Sequence, residues 1–307
     1  MEFLRLLSGI RNGFLDKLML LLTELGSEII ILGLVCLLYW CVSKRAAYRL
    51  GAVFFVSGIL VQGLKISFHI ERPWVLDPSF SPVEAAKPGA SGYSFPSGHT
   101  QGGTALYGTG LIKLKRVSLK IICAVLIVVV AFSRMYLGVH TPLDVGVALA
   151  LTFICVILVN RLFDAIENDK SRDGVICIIL ASVSVALCLY SYILASAGII
   201  DRAQINDCFK SGGAGLAFAL GFYLERSWLN FSERTEKLWM QAVKLLCGIA
   251  GALLLKELPK LIAEGNLIID FLRYFLTVGW VMIGFPLLFT RILNRRRDAA
   301  ERVGDKG

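Results

Sequence analysis

Histidine is scarce in this chain, with three in 307 residues, so any chemistry that rests on imidazole falls to His69, His99 or His140. The eight cysteines carry no metal-type spacing. Cys36, Cys41, Cys123, Cys155, Cys177, Cys188 and Cys247 fall in or beside apolar runs, as small packing residues do, which argues against a disulfide framework. The first residues lack a basic start followed by a cleavage-type site, so the first membrane helix is expected to direct insertion itself. Acidic residues are outnumbered, 23 Asp and Glu against 32 Lys and Arg, for a net charge of +9. The basic residues gather in alternate loops, as orientation signals do, and no nucleic-acid partner is expected.

Apolar sequence is abundant instead. A hydrophobic content of 56% and a mean hydropathy of +0.69 describe a multi-pass membrane protein whose partner is the lipid bilayer. Because about 20 residues of helix cross the hydrocarbon core, the expected fold is an all-α polytopic transmembrane helix bundle. Nine spans are predicted, near 27–43, 46–68, 97–113, 117–137, 142–162, 174–198, 209–225, 238–262 and 267–291. Residues 1–26 alternate apolar positions with Arg5, Arg11, Asp16, Lys17 and Glu24, the pattern of an interfacial amphipathic helix. Lys44, Arg45 and Arg49 follow the first span; Lys113, Lys115, Arg116 and Lys120 follow the third; Arg295, Arg296 and Arg297 close the chain. By the positive-inside rule these face the cytoplasm, which puts 69–96, 138–141, 199–208 and about 263–266 outside.

Three stretches on the predicted outer side hold polar groups that apolar segments do not carry idly. In the stretch from Ser133 to Asp144, Arg134 closes an apolar run and needs an anionic partner, because a cation at bilayer depth costs about 2.5–3.5 kcal/mol on insertion scales. Thr141 has the character of an N-cap, with Pro142 at the first helical position and Asp144 after it, so His140 stands just outside the positive end of the next helix. Upstream, Lys65 and Arg72 are seven residues apart, which would put them on one face about two turns apart, and Pro73 stops that helix. The Pro-, Gly- and Ser-rich loop that follows is long enough for a lid; its acids Glu71, Asp77 and Glu84 are expected to be solvated. Ser97, Gly98 and His99 then open the third span, where Gly98 lets a ligand approach free first-turn amides. Gly102, Gly103, Gly108 and Gly110 behind them suit close helix packing, as does the run from Gly212 to Gly215 in the seventh span. Lys244, Lys256, Asp270 and Arg273 are charges in or near apolar sequence, and His69 fits an interfacial helix end.

Three cations, a serine hydroxyl and two helix N-termini make an oxyanion cradle, which suits a phosphoryl group whose oxygens need neutralising. Lys65 with Arg72 and Pro73, then the run from Pro96 to His99, then Ser133 and Arg134 with His140 and Asp144, resemble the three signature motifs of the type 2 phosphatidic acid phosphatase (PAP2) superfamily. The same motif set occurs in glucose-6-phosphatases and vanadium haloperoxidases. The resemblance covers roughly residues 27–162, a PAP2-like core, and leaves 163–307 as about four additional C-terminal membrane helices without an assigned role. It implies His140 as nucleophile, Asp144 as the group orienting its ring, and His99 as proton donor and then base. Lys65, Arg72, Ser97, the Gly98 amide and Arg134 would bind phosphate, with no metal and no cofactor. The residues alone do not rank His140 above His99. Zinc held by His99, His140 and Asp144, or Ser97 as nucleophile, would also fit the residue types, although three nearby cations oppose a dication. The implied activity is metal-independent hydrolysis of a lipid phosphate or diphosphate at the outer face of the cell membrane. A soluble sugar phosphatase, or a transporter or lipid-binding protein that kept the anion site, stands as the alternative.

Overall fold

Ser43 accepts a hydrogen bond from the Ala46 amide and starts the longest run of the chain, α4 (Lys44–Phe68). In the computed structural model, which describes residues 1–167, 169–233, 238–261 and 265–291, each predicted span coincides with a helix. Before α4 come α1 (Glu2–Gly9), α2 (Gly13–Glu24) and α3 (Glu28–Leu37), the last continuing as a wider turn through Val42. Residues 1–25 thus form two helices rather than one. After α4 follow the single turn α5 (Pro73–Leu76), then α6 (Gly98–Lys113), α7 (Val117–Tyr136), α8 (Pro142–Ile166) and α9 (Asp173–Ser196). The C-terminal part contains α10 (Asn206–Leu224), α11 (Leu238–Glu257) and α12 (Leu267–Gly279), whose helical course continues to Arg291. The basic tail Arg295–Arg297 lies outside the described residues.

Six of these helices are long and apolar enough to span a bilayer, or seven if α2 and α3, bent by 42° at their junction, count as one. That is fewer than the nine expected. α6 is only 16 residues long and rich in Gly and Thr, and α10 opens with Asn206, Asp207 and Lys210. Both are walled by other helices, α6 by α4, α7 and α8, and α10 by α4, α9 and α12. Protein in place of lipid around them relaxes the need for an apolar surface.

α4 is the seam between the two halves. On one side it packs on α6 and α8, on the other on α9 and α10. The main core lies along it, with Tyr48, Val53, Phe163, Phe218 and Phe222 buried together beside Tyr39 and Trp40. Tyr39 and Trp40 donate to the Met282 and Val281 carbonyls at 2.8 and 3.0 Å, tying the N-terminal half to the last helix. Glycines set the closest approaches: a Cβ on Gly102 would stand 2.6 Å from the Gly26 carbonyl oxygen, and one on Gly213 would stand 2.3 Å from that of Phe271. The glycine runs serve packing, as expected from their spacing.

Because the long helices alternate in direction along the chain from α4 through α6 and α7 to α8, the C-terminal ends of α4 and α7 and the N-terminal ends of α6 and α8 meet at one end of the bundle. The other end gathers Arg49 with Asp164 and Glu167 at 2.6 and 3.0 Å, Lys113 with Asp164 at 2.6 Å, and Lys44 with Glu225 at 2.8 Å. Buried Tyr48 donates to the same Glu225 carboxylate.

Candidate active site

The His140 turn folds as its sequence dictates. Thr141 caps α8 in a capping box: its hydroxyl accepts from the Asp144 amide at 3.3 Å and its own amide donates to Asp144 Oδ2 at 2.7 Å. Gly138 supplies the left-handed conformation (φ 75°) that brings the chain from α7 into this turn, where the Val139 amide donates to the Arg134 carbonyl at 3.2 Å. His140 is thereby buried, with Nδ1 3.6 Å from Asp144 Oδ2. Ser94, which no sequence motif marks, stands between them. Its hydroxyl donates to Asp144 Oδ2 at 2.6 Å and lies 3.4 Å from His140 Nδ1.

Arg72 reaches the same place by a different route from the one its spacing suggests. α4 ends at Phe68, and His69 adopts a left-handed conformation (φ 51°), so Arg72 arrives through a turn and not two helical turns above Lys65. Pro73 opens α5 instead of closing α4. Arg72 Nη1 is 3.0 Å from His140 Nε2 and donates to the Val139 carbonyl at 3.0 Å. The same Nη1 lies 3.5 Å from His140 Nδ1. A carboxylate oxygen only accepts, so Asp144 Oδ2 beside Nδ1 favours the ring proton on Nδ1, which leaves Nε2 with its lone pair. Burial first, and then the charges of Arg72, Arg134 and Lys65, hold the His140 imidazole well below its ordinary pKa, which keeps it neutral.

Arg134 is 2% exposed and spends one Nη1 hydrogen bond on the Thr23 hydroxyl at 3.0 Å, while its Nε and Nη2 have no partner among the described residues. Two unsatisfied donors on a buried cation are costly unless an anion meets them. Lys65, also buried, donates to the Tyr93 carbonyl at 3.2 Å. Ser97 caps α6, accepting from the Thr100 amide and hydroxyl at 3.4 and 2.9 Å, and its amide donates to the Asp144 carbonyl at 3.1 Å, which joins the two helix starts.

Lys65, Arg72, Gly98, His99, Arg134 and His140 all line one cavity of about 380 Å³. Asp144 and Ser97 stand behind it as supports. Leu32, Phe54, Phe55, Ile59, Val61 and Val278 line the same cavity, which gives it an apolar part beside its charged groups, Lys210 and Lys256 among them. His69 is not part of that lining; its ring lies against Tyr93, with centroids 5.5 Å apart. Two of the loop acids are paired, contrary to expectation: Asp77 with Arg5 at 2.7 Å and Glu84 with Lys87 at 2.8 Å. Folding α1 beside the loop brings Arg5 to Asp77, a pairing that linear spacing does not reveal. Thr23 and Ser94 carry no sequence signal either, since each matters only through the residue it touches. Only the length and composition of the loop point toward Ser94.

Residues 46–167 match the profile of the PAP2 superfamily, and residues 209–297 match that of the PAP2 superfamily phosphatase transmembrane extension. Sphingosine-1-phosphate phosphatase 2 of Mus musculus is 25% identical over 236 residues, which cover 75% of this chain and 64% of that protein. The chain therefore spans less than two thirds of that relative's length. Undecaprenyl-diphosphatase BcrC of Bacillus subtilis (strain 168) is 26% identical over 179 residues, 52% of this chain and 89% of that protein. Among solved structures, LpxE of Aquifex aeolicus superposes with a TM-score of 0.45 at 27% identity, over 52% of this chain and 93% of that one.

Proposed function

Residues 46–167 make the chain a member of the PAP2 superfamily, and from that premise we propose that it is an integral-membrane phosphatase hydrolysing a lipid phosphate or diphosphate at the non-cytoplasmic face. One observation carries the reading: three cations and two imidazoles from three stretches distant in sequence line a single cavity that also has apolar side chains in its wall. The cationic end suits a phosphoryl group and the wall suits the chain of the alcohol that bears it.

In the first step His140 Nε2 attacks phosphorus and the bond from phosphorus to the leaving oxygen breaks. His99 delivers a proton to that oxygen, so the alcohol leaves neutral and the phosphoryl group stays on His140. The phosphoryl group enters between Nε2 and Arg72 Nη1, whose contact it takes over. Its oxygens meet the two free nitrogens of Arg134, the Lys65 ammonium and the Gly98 amide at the start of α6. As Nε2 forms its bond to phosphorus the ring becomes cationic. The Asp144 carboxylate, aided by Ser94, stabilises that charge and holds the proton on Nδ1. In the second step water attacks phosphorus, His99 accepts its proton, and inorganic phosphate leaves with Nε2 restored. The ring of cations also disfavours a divalent metal among His99, His140 and Asp144.

The relatives' names supply substrate candidates, a sphingoid-base monophosphate and a polyprenyl diphosphate. The basic ends of α4, α6 and α7, opposite the cavity, support the outer placement of the site. Phosphate release by detergent-solubilised protein, measured across phosphatidate, sphingosine 1-phosphate, an isoprenyl diphosphate and glucose 6-phosphate, tests the reading. Turnover of at least one lipid phosphate well above that of glucose 6-phosphate is expected. Equal or faster turnover of the sugar phosphate would assign the cavity to a soluble substrate.

A further inference from the structure

The two cations contributed by α4 and the turn after it are held by three consecutive backbone carbonyls. Arg72 Nη2 donates to Ser91 O at 2.7 Å and Arg72 Nε to Gly92 O at 3.0 Å, while Lys65 Nζ donates to Tyr93 O at 3.2 Å. The strip from Ser91 to Tyr93 belongs to no helix, and Gly92 has a positive φ of 63°. It takes its place from the C-terminal half. The Tyr93 ring is buried in a cluster with Ile200, Ile205 and Cys208, around the start of α10. From the first turn of α10, Asp207 Oδ2 accepts a hydrogen bond from Ser91 Oγ at 3.3 Å, and its Oδ1 accepts from Lys210 at 2.9 Å. Asp207 also lines the cavity with Lys65 and Arg72, and it falls between the two segments that match family profiles.

We propose that Asp207 is a positioning residue for the phosphate cradle, acting through Ser91 on the plane of the Arg72 guanidinium. The proposal rests on the phosphatase reading and gives the start of α10, in the C-terminal half, a structural role, that of holding the carbonyl strip that aims Arg72 and Lys65. A planar guanidinium recognises phosphate oxygens through fixed parallel N–H bonds, so a small rotation of its plane weakens binding of the phosphoryl group.

The full chain in detergent, with a short-chain phosphatidate as substrate, provides the test. Asp207→Ala and Ser91→Ala are each expected to lower kcat/KM about 3- to 10-fold, the loss that one net hydrogen bond produces. The double variant should be no worse than the poorer single one, since both break the same link. Asp207→Asn should recover most of the loss, because its amide oxygen still accepts from Ser91 while the Lys210 pair is gone. Affinity for inorganic vanadate, a phosphate analogue, should follow the same order by calorimetry. Additive losses, a silent Ser91→Ala, or an Asn variant as poor as Ala would overturn the proposal. Failure of the phosphatase reading looks different: wild-type protein would release no more phosphate than His140→Ala, and the vanadate series would still decide whether Asp207 aims the cradle.

Discussion

His140 Nδ1 faces Ser94 and Asp144, while Arg72 Nη1 lies 3.0 Å from Nε2 and 3.5 Å from Nδ1. The Asp144 carboxylate beside Nδ1 favours the tautomer with its proton there, and in the proposed mechanism it supports the ring without itself reacting. Asp144→Asn should therefore leave weak residual phosphate release, and His140→Ala none, in a steady-state assay of purified protein. An Asp144→Asn variant at full activity would separate the carboxylate from the chemistry. The imidazole's pH response has a definite sign. Its folded value lies below the 6.5 of a free histidine, so above about pH 6.5 folding gains no proton-linked penalty. As pH falls from 6.5 toward the folded value, the unfolded chain binds the proton and the native site does not, and stability declines. The melting temperature in detergent is expected to drop between about pH 7 and pH 5, and His140→Ala should remove part of that drop. Identical pH dependence in the variant would show that this ring does not drive it.

At the scale of elements, helix ends build the site and glycines decide how closely those ends meet. The start of α6 is pressed against the junction of α2 and α3, where a Cβ on Gly26 would stand 2.4 Å from the His99 carbonyl and one on Gly102 would stand 2.6 Å from that of Gly26. Both obstacles are backbone, which cannot swing aside. Gly102→Ala is expected to destabilise the protein by about 1–3 kcal/mol, the usual cost of overpacking, and to lower its melting temperature in detergent. An unchanged melting temperature would mean that the junction yields easily. These ends also show what the sequence discloses. The capping box at Thr141, the cap at Ser97 and the small residues of α6 follow from local chemistry, so they are legible. Lys65 and Arg72 do share a cavity, but not by the helical spacing expected of them, because a left-handed His69 ends α4 early. Thr23, Ser94 and the carbonyls from Ser91 to Tyr93 are not legible: a hydroxyl or a carbonyl gains meaning only from a cation brought to it by tertiary folding.

At the scale of the whole molecule, α4 divides a half carrying the signature residues from a half that walls the cavity with Lys210, Ser211, Lys256 and Tyr274. Composition overcounts the bilayer-competent helices because α6 and α10 are sheathed by protein. The order of the apolar runs is nevertheless the order of helices that brings four ends together. The central claim is that this convergence makes His140 the acceptor of a phosphoryl group. Incubation with a lipid phosphate carrying radiolabelled phosphorus, an alkaline quench and counting of protein-bound label test it most directly. The account predicts label that survives base and is lost in acid, present in wild-type protein and absent from His140→Ala. Label that is stable to acid, or undiminished in His140→Ala, would contradict it.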